Sequence, residues 1–151
     1  MRGFEQSSEM ISDDQIDGAE RLLSIKFPPG YRAVAKRYGS SFGDVEFVVD
    51  RPSKGFDRCG IGLVLSLLPE SRNSVYSVMG NWEEHQLSAR LIPIAVDGGG
   101  NYLCLDYRKA DEPEVVFYFH ELPGDEGIML VCQSFDEFLT RLVGPADEVD
   151  D

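Results

Sequence analysis

Apolar residues recur every three or four positions over residues 16–23, with polar residues between them, which predicts an amphipathic helix. Ser12 followed three residues later by Gln15 is a capping box, so this helix should begin just after Ser12. Pro28 and Pro29 cannot continue it, because proline lacks an amide proton. The same spacing predicts a second helix over residues 31–38. The stripe that we expect the first helix to bury is Ile16, Ala19, Leu22 and Leu23.

The centre of the chain has weaker patterns. Residues 45–49 fit a strand, and residues 50–60 are rich in proline, glycine, serine and charge, which predicts a loop. The apolar run at 61–68 fits either a strand or a helix. A third helix is predicted over residues 74–84, with Asn73 as its cap.

The second half of the chain is predicted to hold strands at residues 91–96, 102–107, 115–120 and 128–132. The glycines at 98–100 allow a tight turn between the first two, which should form an antiparallel hairpin. A second capping box, Ser134 with Glu137, begins the last helix. Helices at both ends of consecutive strands indicate an α+β fold.

Length and composition fit one folded domain. The 151 residues lie within the usual range of about 100 to 200 for a domain. The hydrophobic content of 42% supplies enough apolar surface for a core. We expect a single domain over residues 1–144, followed by a disordered acidic tail at residues 145–151.

Acidic residues outnumber basic ones by 27 to 14, so the formal net charge is −13. Such a surface repels phosphate backbones and anionic lipid headgroups, which argues against nucleic acid or membrane as a direct partner. It attracts a basic protein, although acidity can also serve solubility alone. The charge therefore points to a protein partner without identifying a site.

The three cysteines, Cys59, Cys104 and Cys132, are odd in number and widely spaced, which indicates neither a disulfide framework nor a zinc knuckle. The first nine residues lack the apolar segment of a secretion signal. No apolar run approaches the roughly 20 residues of a membrane helix. We therefore expect a cytoplasmic protein.

Local motifs give little support for chemistry. The triple glycine precedes a strand and not a helix N-terminus, which argues against a phosphate loop. Asp97, Asn101 and Asp106 lack the spacing of a calcium loop. His85 and His120 have no recognisable nucleophile setting beside them. We predict no catalytic residue, no metal site and no cofactor, and we place Cys104, Trp82 and the aromatic residues of 115–120 in the core.

Six segments carry a family resemblance: LSIKFPPGY at 23–31, YG at 38–39, LIPIA at 91–95, DGGGNYLCLD at 97–106, VVFYFH at 115–120 and SFDEFL at 134–139. In this order they resemble the SUKH superfamily, which contains bacterial toxin-immunity proteins and Smi/Knr-type regulators of cell-wall assembly. The resemblance implies a twisted antiparallel sheet of about five to six strands, flanked by N-terminal and C-terminal helices. It also implies no catalytic residues and no cofactor. The triple glycine and residues 51–90 depart from the pattern.

Acidity and resemblance together give a first hypothesis: an immunity protein, monomeric or weakly dimeric, that blocks a basic toxin domain, in particular a nuclease. A second hypothesis is a regulatory or scaffolding module without a toxin. A third, an enzyme, requires a deep pocket with convergent polar groups. The residues predicted to contact the partner are Asp13, Asp14, Asp17 and Glu20, with Asp97 and Asn101 as second choice.

Overall fold

The computed structural model describes residues 3–51, 55–122 and 124–142, so the predicted tail at 145–151 lies outside the described residues. The N-terminal part contains α1 (Asp13–Leu23), α2 (Pro29–Tyr38), β1 (Phe42–Arg51), β2 (Gly55–Val64) and α3 (Val75–Met79). The remainder contains β3 (Leu91–Val96), β4 (Tyr102–Asp106), β5 (Glu114–Tyr118), a single 3-10 turn (Gly124–Gly127), β6 (Ile128–Cys132) and α4 (Phe135–Thr140). No helix within these described stretches is long and apolar enough to span a bilayer.

The six strands form one antiparallel sheet in which every strand pairs with its neighbour in sequence. The sheet curls, so that β1 and β6 approach each other at its two ends. The hairpin between β3 and β4 is confirmed, and Gly100 in its turn has φ of 86°, a conformation that glycine adopts without steric cost. With helices at both ends, the predicted α+β fold is confirmed.

The predicted N-terminus of α1 is confirmed. The Oγ atom of Ser12 accepts a hydrogen bond from the amide of Gln15, and Gln15 Oε1 accepts one from the amide of Ser12. Ile16 and Ala19 are buried as predicted, but Leu22 is 65% exposed, so its assignment to the buried stripe was wrong. Its side chain lies on the rim of a shallow groove between α1 and residues 67–70.

The predicted loop at 50–60 is largely strand. The first strand continues to Arg51, and β2 begins at Gly55 and pairs with it residue by residue. The sequence pattern did not indicate this strand, because the strand is stabilised by its backbone pairing with β1 and not by the strand propensity of its residues. The third helix is also shorter than predicted: it ends at Met79, and its cap is Ser74, whose Oγ accepts from the amide of Ser77.

Both faces of the sheet are covered. The larger core lies between the sheet and the helices α1, α2 and α4, and includes Val115 and Phe117 of β5. A smaller core on the opposite face includes Val116 and Tyr118 of the same strand, together with Trp82. Of the strand predicted at 115–120, residues 115–118 are buried on both faces, but β5 ends at Tyr118 and His120 is exposed. The core positions of Cys104 and Trp82 are confirmed.

Candidate partner-binding surface

The acidic residues of α1 face the basic residues of α2. Arg32 places its guanidinium 2.9 Å from Asp17 Oδ1 and 3.1 Å from Glu20 Oε1. The Nζ atom of Lys36 lies 3.3 Å from Asp13 Oδ1. Partial burial disfavours the charge on Arg32, but hydrogen bonds and Coulombic attraction from Asp17 and Glu20 outweigh it and raise the pKa of Arg32. Three of the four predicted acids therefore form ion pairs within the protein.

Glu20 differs from the other acids of α1 because its side chain is only 6% exposed. Its Oε2 atom accepts a hydrogen bond of 2.7 Å from the amide of Phe27, and Lys26 Nζ lies 3.7 Å from Oε1. These contacts fix the linker between α1 and α2. Glu20 thus supports the helix pair from inside, and its carboxylate is not on the surface that a partner meets.

Charge on the helical layer is nearly balanced. Residues 13–37 contain four acidic and five basic residues, which gives a net charge of +1 for this segment. Asp14 is exposed and forms no ion pair with another residue that the structure describes. The acidity of the protein as a whole must therefore be located elsewhere.

The hairpin turn uses the polar atoms of Asp97 and Asn101 internally. Asp97 Oδ1 accepts from the amides of Gly99 and Asn101, each at 2.8 Å, and its Oδ2 accepts from the side-chain amide of Asn101. The side-chain oxygen of Asn101 lies 3.0 Å from the amide of His120 and 2.8 Å from its Nδ1. These two predicted contact residues hold the turn and the adjacent end of β5 together.

Two chain segments meet beside the smaller core, and we call them the roof. One is residues 81–88, whose Trp82 and Leu87 belong to that core, and the other is residues 119–127 except 123, which is not described. Trp82 packs edge-on against Tyr102 and Tyr118, and its indole Nε1 donates a hydrogen bond of 2.8 Å to the carbonyl of Leu91. His85 Nδ1 lies 3.1 Å from the Tyr118 hydroxyl. The two segments come together at Gly124 and Gln86. A Cβ added to Gly124 would lie 3.6 Å from the carbonyl oxygen of Gln86.

Both segments of the roof carry carboxylates, and neither segment contains a lysine or an arginine. One of them, Asp125, accepts a 3.0 Å hydrogen bond from Arg108, which also bonds to both carboxylate oxygens of Asp106. Burial disfavours ionisation of Asp106, but the bonds from Arg108 outweigh this and hold the pKa of Asp106 below its ordinary value. The exposed acids of the roof are Glu83, Glu84, Glu121, Asp125 and Glu126.

Sequence reasoning did not identify the roof as a candidate site. Its two segments are separated by three strands along the chain, and their contact depends on the packing of Trp82 and His85 over the sheet. A count of charges by segment would have shown the absence of lysine and arginine. It would not have shown that the two segments form one surface.

Groups that could support catalysis are poorly placed. Cys104 and Cys132 are buried, and burial raises the pKa of both thiols, that of Cys132 to about 11. Within the described ranges, no cluster of three or more His, Cys, Asp or Glu side chains could hold a metal ion. A cavity of about 380 Å³ beside the end of α1 is lined by Arg21, Arg90 and Tyr107 among others. Burial raises the pKa of Tyr107 further from neutrality, and its hydroxyl donates to the carbonyl of Lys26.

Comparison with known proteins gives a family match over residues 10–141, to the SMI1 / KNR4 family (SUKH-1). The chain belongs to this family. The SUKH-1 match spans every helix and strand from α1 to α4, and it includes both segments of the roof.

One relative of this SUKH-1 chain is the SPbeta prophage-derived uncharacterized protein YokK of Bacillus subtilis (strain 168). The two are 26% identical over 154 residues, which cover 92% of this chain and 78% of YokK. Among solved structures, a protein from Pseudomonas syringae pv. tomato matches with a TM-score of 0.45 and 19% identity, over 74% of this chain and 70% of that one.

Proposed function

We propose that this SUKH-1 protein is an immunity protein that neutralises a toxin domain, in particular a nuclease, by binding it directly in the cytoplasm. The observation that carries the proposal is the family match together with a net charge of −13. Nucleases that act on phosphate backbones have basic clefts, and a surface rich in carboxylates is complementary to them. The relative YokK is prophage-derived, which agrees with a role in conflict between genomes.

The mechanism requires no chemistry from the protein. Carboxylates placed where the phosphates of a substrate lie attract the basic cleft from a distance and speed the encounter. The contacts predicted from the sequence are Asp13, Asp14 and Asp17 on α1, with Asp97 and Asn101 on the hairpin turn as the second choice. Asp13 and Asp17 already form ion pairs with α2, and Asp97 and Asn101 bond to each other, so these predicted contacts are weaker candidates than unpaired carboxylates elsewhere. Glu20 contributes by holding α1 and α2 together, because its carboxylate is enclosed. Binding that covers the cleft excludes the substrate.

Co-expression tests the proposal. The gene immediately upstream of this one in its source genome is placed under an inducible promoter in a bacterial host, with or without this protein. We expect induction alone to stop growth, and co-expression to restore growth and yield a complex that co-purifies. Association measured at rising salt should slow, because screening weakens attraction between exposed charges.

Two results would count against this function. Failure of the protein to restore growth or to co-purify with the upstream product would reject the immunity role. Recovery of cell-wall or signalling proteins when the protein is used as bait in its native source would support the regulatory alternative. Asp14→Lys is the cleanest single charge reversal on α1, since changes at Asp13 or Asp17 also break ion pairs with α2.

A further inference from the structure

We propose that the toxin docks on the roof and the adjacent outer face of β6, and not on the acidic side of α1. This inference rests on the proposed function and assigns its contact surface. Its centre is a pair of exposed apolar side chains, Leu122 and Leu130, which are 39% and 49% exposed. The structure gives three reasons for choosing this surface.

The first reason is the position of the apolar pair. Leu130 pairs with Val116 in the sheet, and it shares the roof side of β6 with the half-buried Ile128. The backbone of Leu122 approaches Gly127, the residue before β6, since the Leu122 carbonyl oxygen would be 2.9 Å from a Cβ on Gly127. Exposed apolar side chains that cluster beside polar residues are typical of protein interaction sites.

The second reason is charge. The two roof segments carry five exposed carboxylates and contain no lysine or arginine, and Leu122 belongs to the second of these segments. By contrast, residues 13–37 on the helical layer have a net charge of +1, and their acids are largely paired with Arg32 and Lys36. A cationic partner is therefore drawn to the roof more strongly than to α1.

The third reason is rigidity. The segment 81–88 is held to the sheet by Trp82, whose indole bonds to Leu91, and by His85, which lies in hydrogen-bond distance of Tyr118. Arg108 ties Asp125 to the buried carboxylate of Asp106. A surface that is already ordered loses little conformational entropy on binding, so more of the contact energy appears as affinity.

These features define the occupant as a protein domain with a basic surface that presents an apolar side chain between its lysines or arginines. The apolar pair supplies the area that is desolvated at the centre, and the carboxylates form the charged rim. A nucleic acid does not fit, because its phosphates would be repelled by the same carboxylates.

The test measures binding of the inactivated product of the upstream gene to four variants. Two variants, called the roof variants, change the proposed surface: Leu130→Ser on the adjacent face of β6, and the double variant Glu83→Lys/Glu84→Lys. Leu22→Ser and Asp14→Lys are matched changes on α1, where Leu22 is 65% exposed. We expect each roof variant to weaken binding by about 10-fold or more, with the double charge reversal acting mainly on association rate. The α1 variants should bind within about 2-fold of the unchanged protein.

A second measurement guards against misfolding of any variant. Hydrogen exchange of the unchanged protein should slow on complex formation at residues 119–122 and 124–130, and remain unchanged at residues 13–37. Normal binding by the roof variants, with weakened binding by Asp14→Lys, would overturn the docking surface and leave the immunity function standing. If the unchanged protein does not bind the upstream product, both the function and the surface are rejected.

Discussion

The guanidinium of Arg32 lies 3.1 Å from the buried carboxylate of Glu20, and this pair joins α2 to α1 on the inner side of the helical layer. Arg32 is itself 24% exposed and also contacts Asp17 at 2.9 Å. A carboxylate that is removed from water needs compensating contacts, since an unpaired buried charge is strongly destabilising. Arg32 therefore serves stability, and the acids that it binds are not free for a partner.

Replacing Arg32 by Ala should lower the free energy of unfolding by about 2 kcal/mol, because Glu20 would lose its closest charged partner. Lys36→Ala is the control, since its pair with Asp13 is exposed and should contribute less than about 1 kcal/mol. Urea unfolding monitored by circular dichroism measures both. Equal losses in the two variants would contradict a special role for Arg32.

The pair of Asp106 with Arg108 predicts a dependence on pH. Because folding lowers the pKa of Asp106, its ionised form stabilises the protein above the unfolded pKa of about 3.9, and this contribution is lost as the pH falls through the folded value. Asp106→Asn should lower the free energy of unfolding by about 2 kcal/mol at pH 7, and by clearly less at pH 3. Urea unfolding at the two pH values checks this, with the exposed Asp111→Asn as control. A cost that is independent of pH would show that ionisation of Asp106 contributes nothing.

Tyr31 has a fully buried hydroxyl that finds no hydrogen-bond partner among the described residues, and burial raises its pKa. Tyr31→Phe removes this unpaired group and should leave stability unchanged or raise it by up to about 1 kcal/mol. Tyr107→Phe removes a 2.7 Å hydrogen bond to the carbonyl of Lys26, so it should destabilise by about 1 kcal/mol. Thermal unfolding compares the stability of the two variants. If Tyr31→Phe destabilises the protein as much as Tyr107→Phe does, the Tyr31 hydroxyl has a hydrogen-bond partner after all.

The hairpin turn offers a matched pair of glycines. Gly100 has φ of 86°, so Gly100→Ala forces an alanine into a conformation it rarely adopts and should cost about 1 kcal/mol. Gly98 has ordinary φ and open space where a Cβ would lie, so Gly98→Ala should be neutral or slightly stabilising. Chemical unfolding of both variants gives the comparison. Similar effects at the two positions would argue against strain at Gly100.

Elements that depend on local signals could be predicted from the sequence. The caps at Ser12 and Ser134 were found because a hydroxyl and the amide three residues later lie within one turn. The β3–β4 hairpin was found because its glycines restrict the chain to a tight turn. In each case the contacts that fix the structure are only a few residues apart.

Features that depend on distant contacts could not be predicted in the same way. Leu22 has the spacing of a core residue, but it lies beside the groove between α1 and residues 67–70 and remains exposed. Glu20 has the spacing of a surface acid, but it is enclosed because α2 brings Arg32 against it. Only packing decides such cases, and the same is true of the contact between Gln86 and Gly124 that joins the roof.

The edge-on contact of Tyr31 with Phe135, with ring centroids 5.7 Å apart, has a consequence during synthesis of the protein. Each strand can pair with the one before it as the chain leaves the ribosome, because the sheet follows sequence order. The helical core closes only when α4 arrives, after the roof has already been made. A chain cut short before α4 would carry the whole roof but leave Tyr31 and Phe47 without Phe135 and Phe138, so incomplete copies are expected to be removed by proteolysis before they compete for a partner.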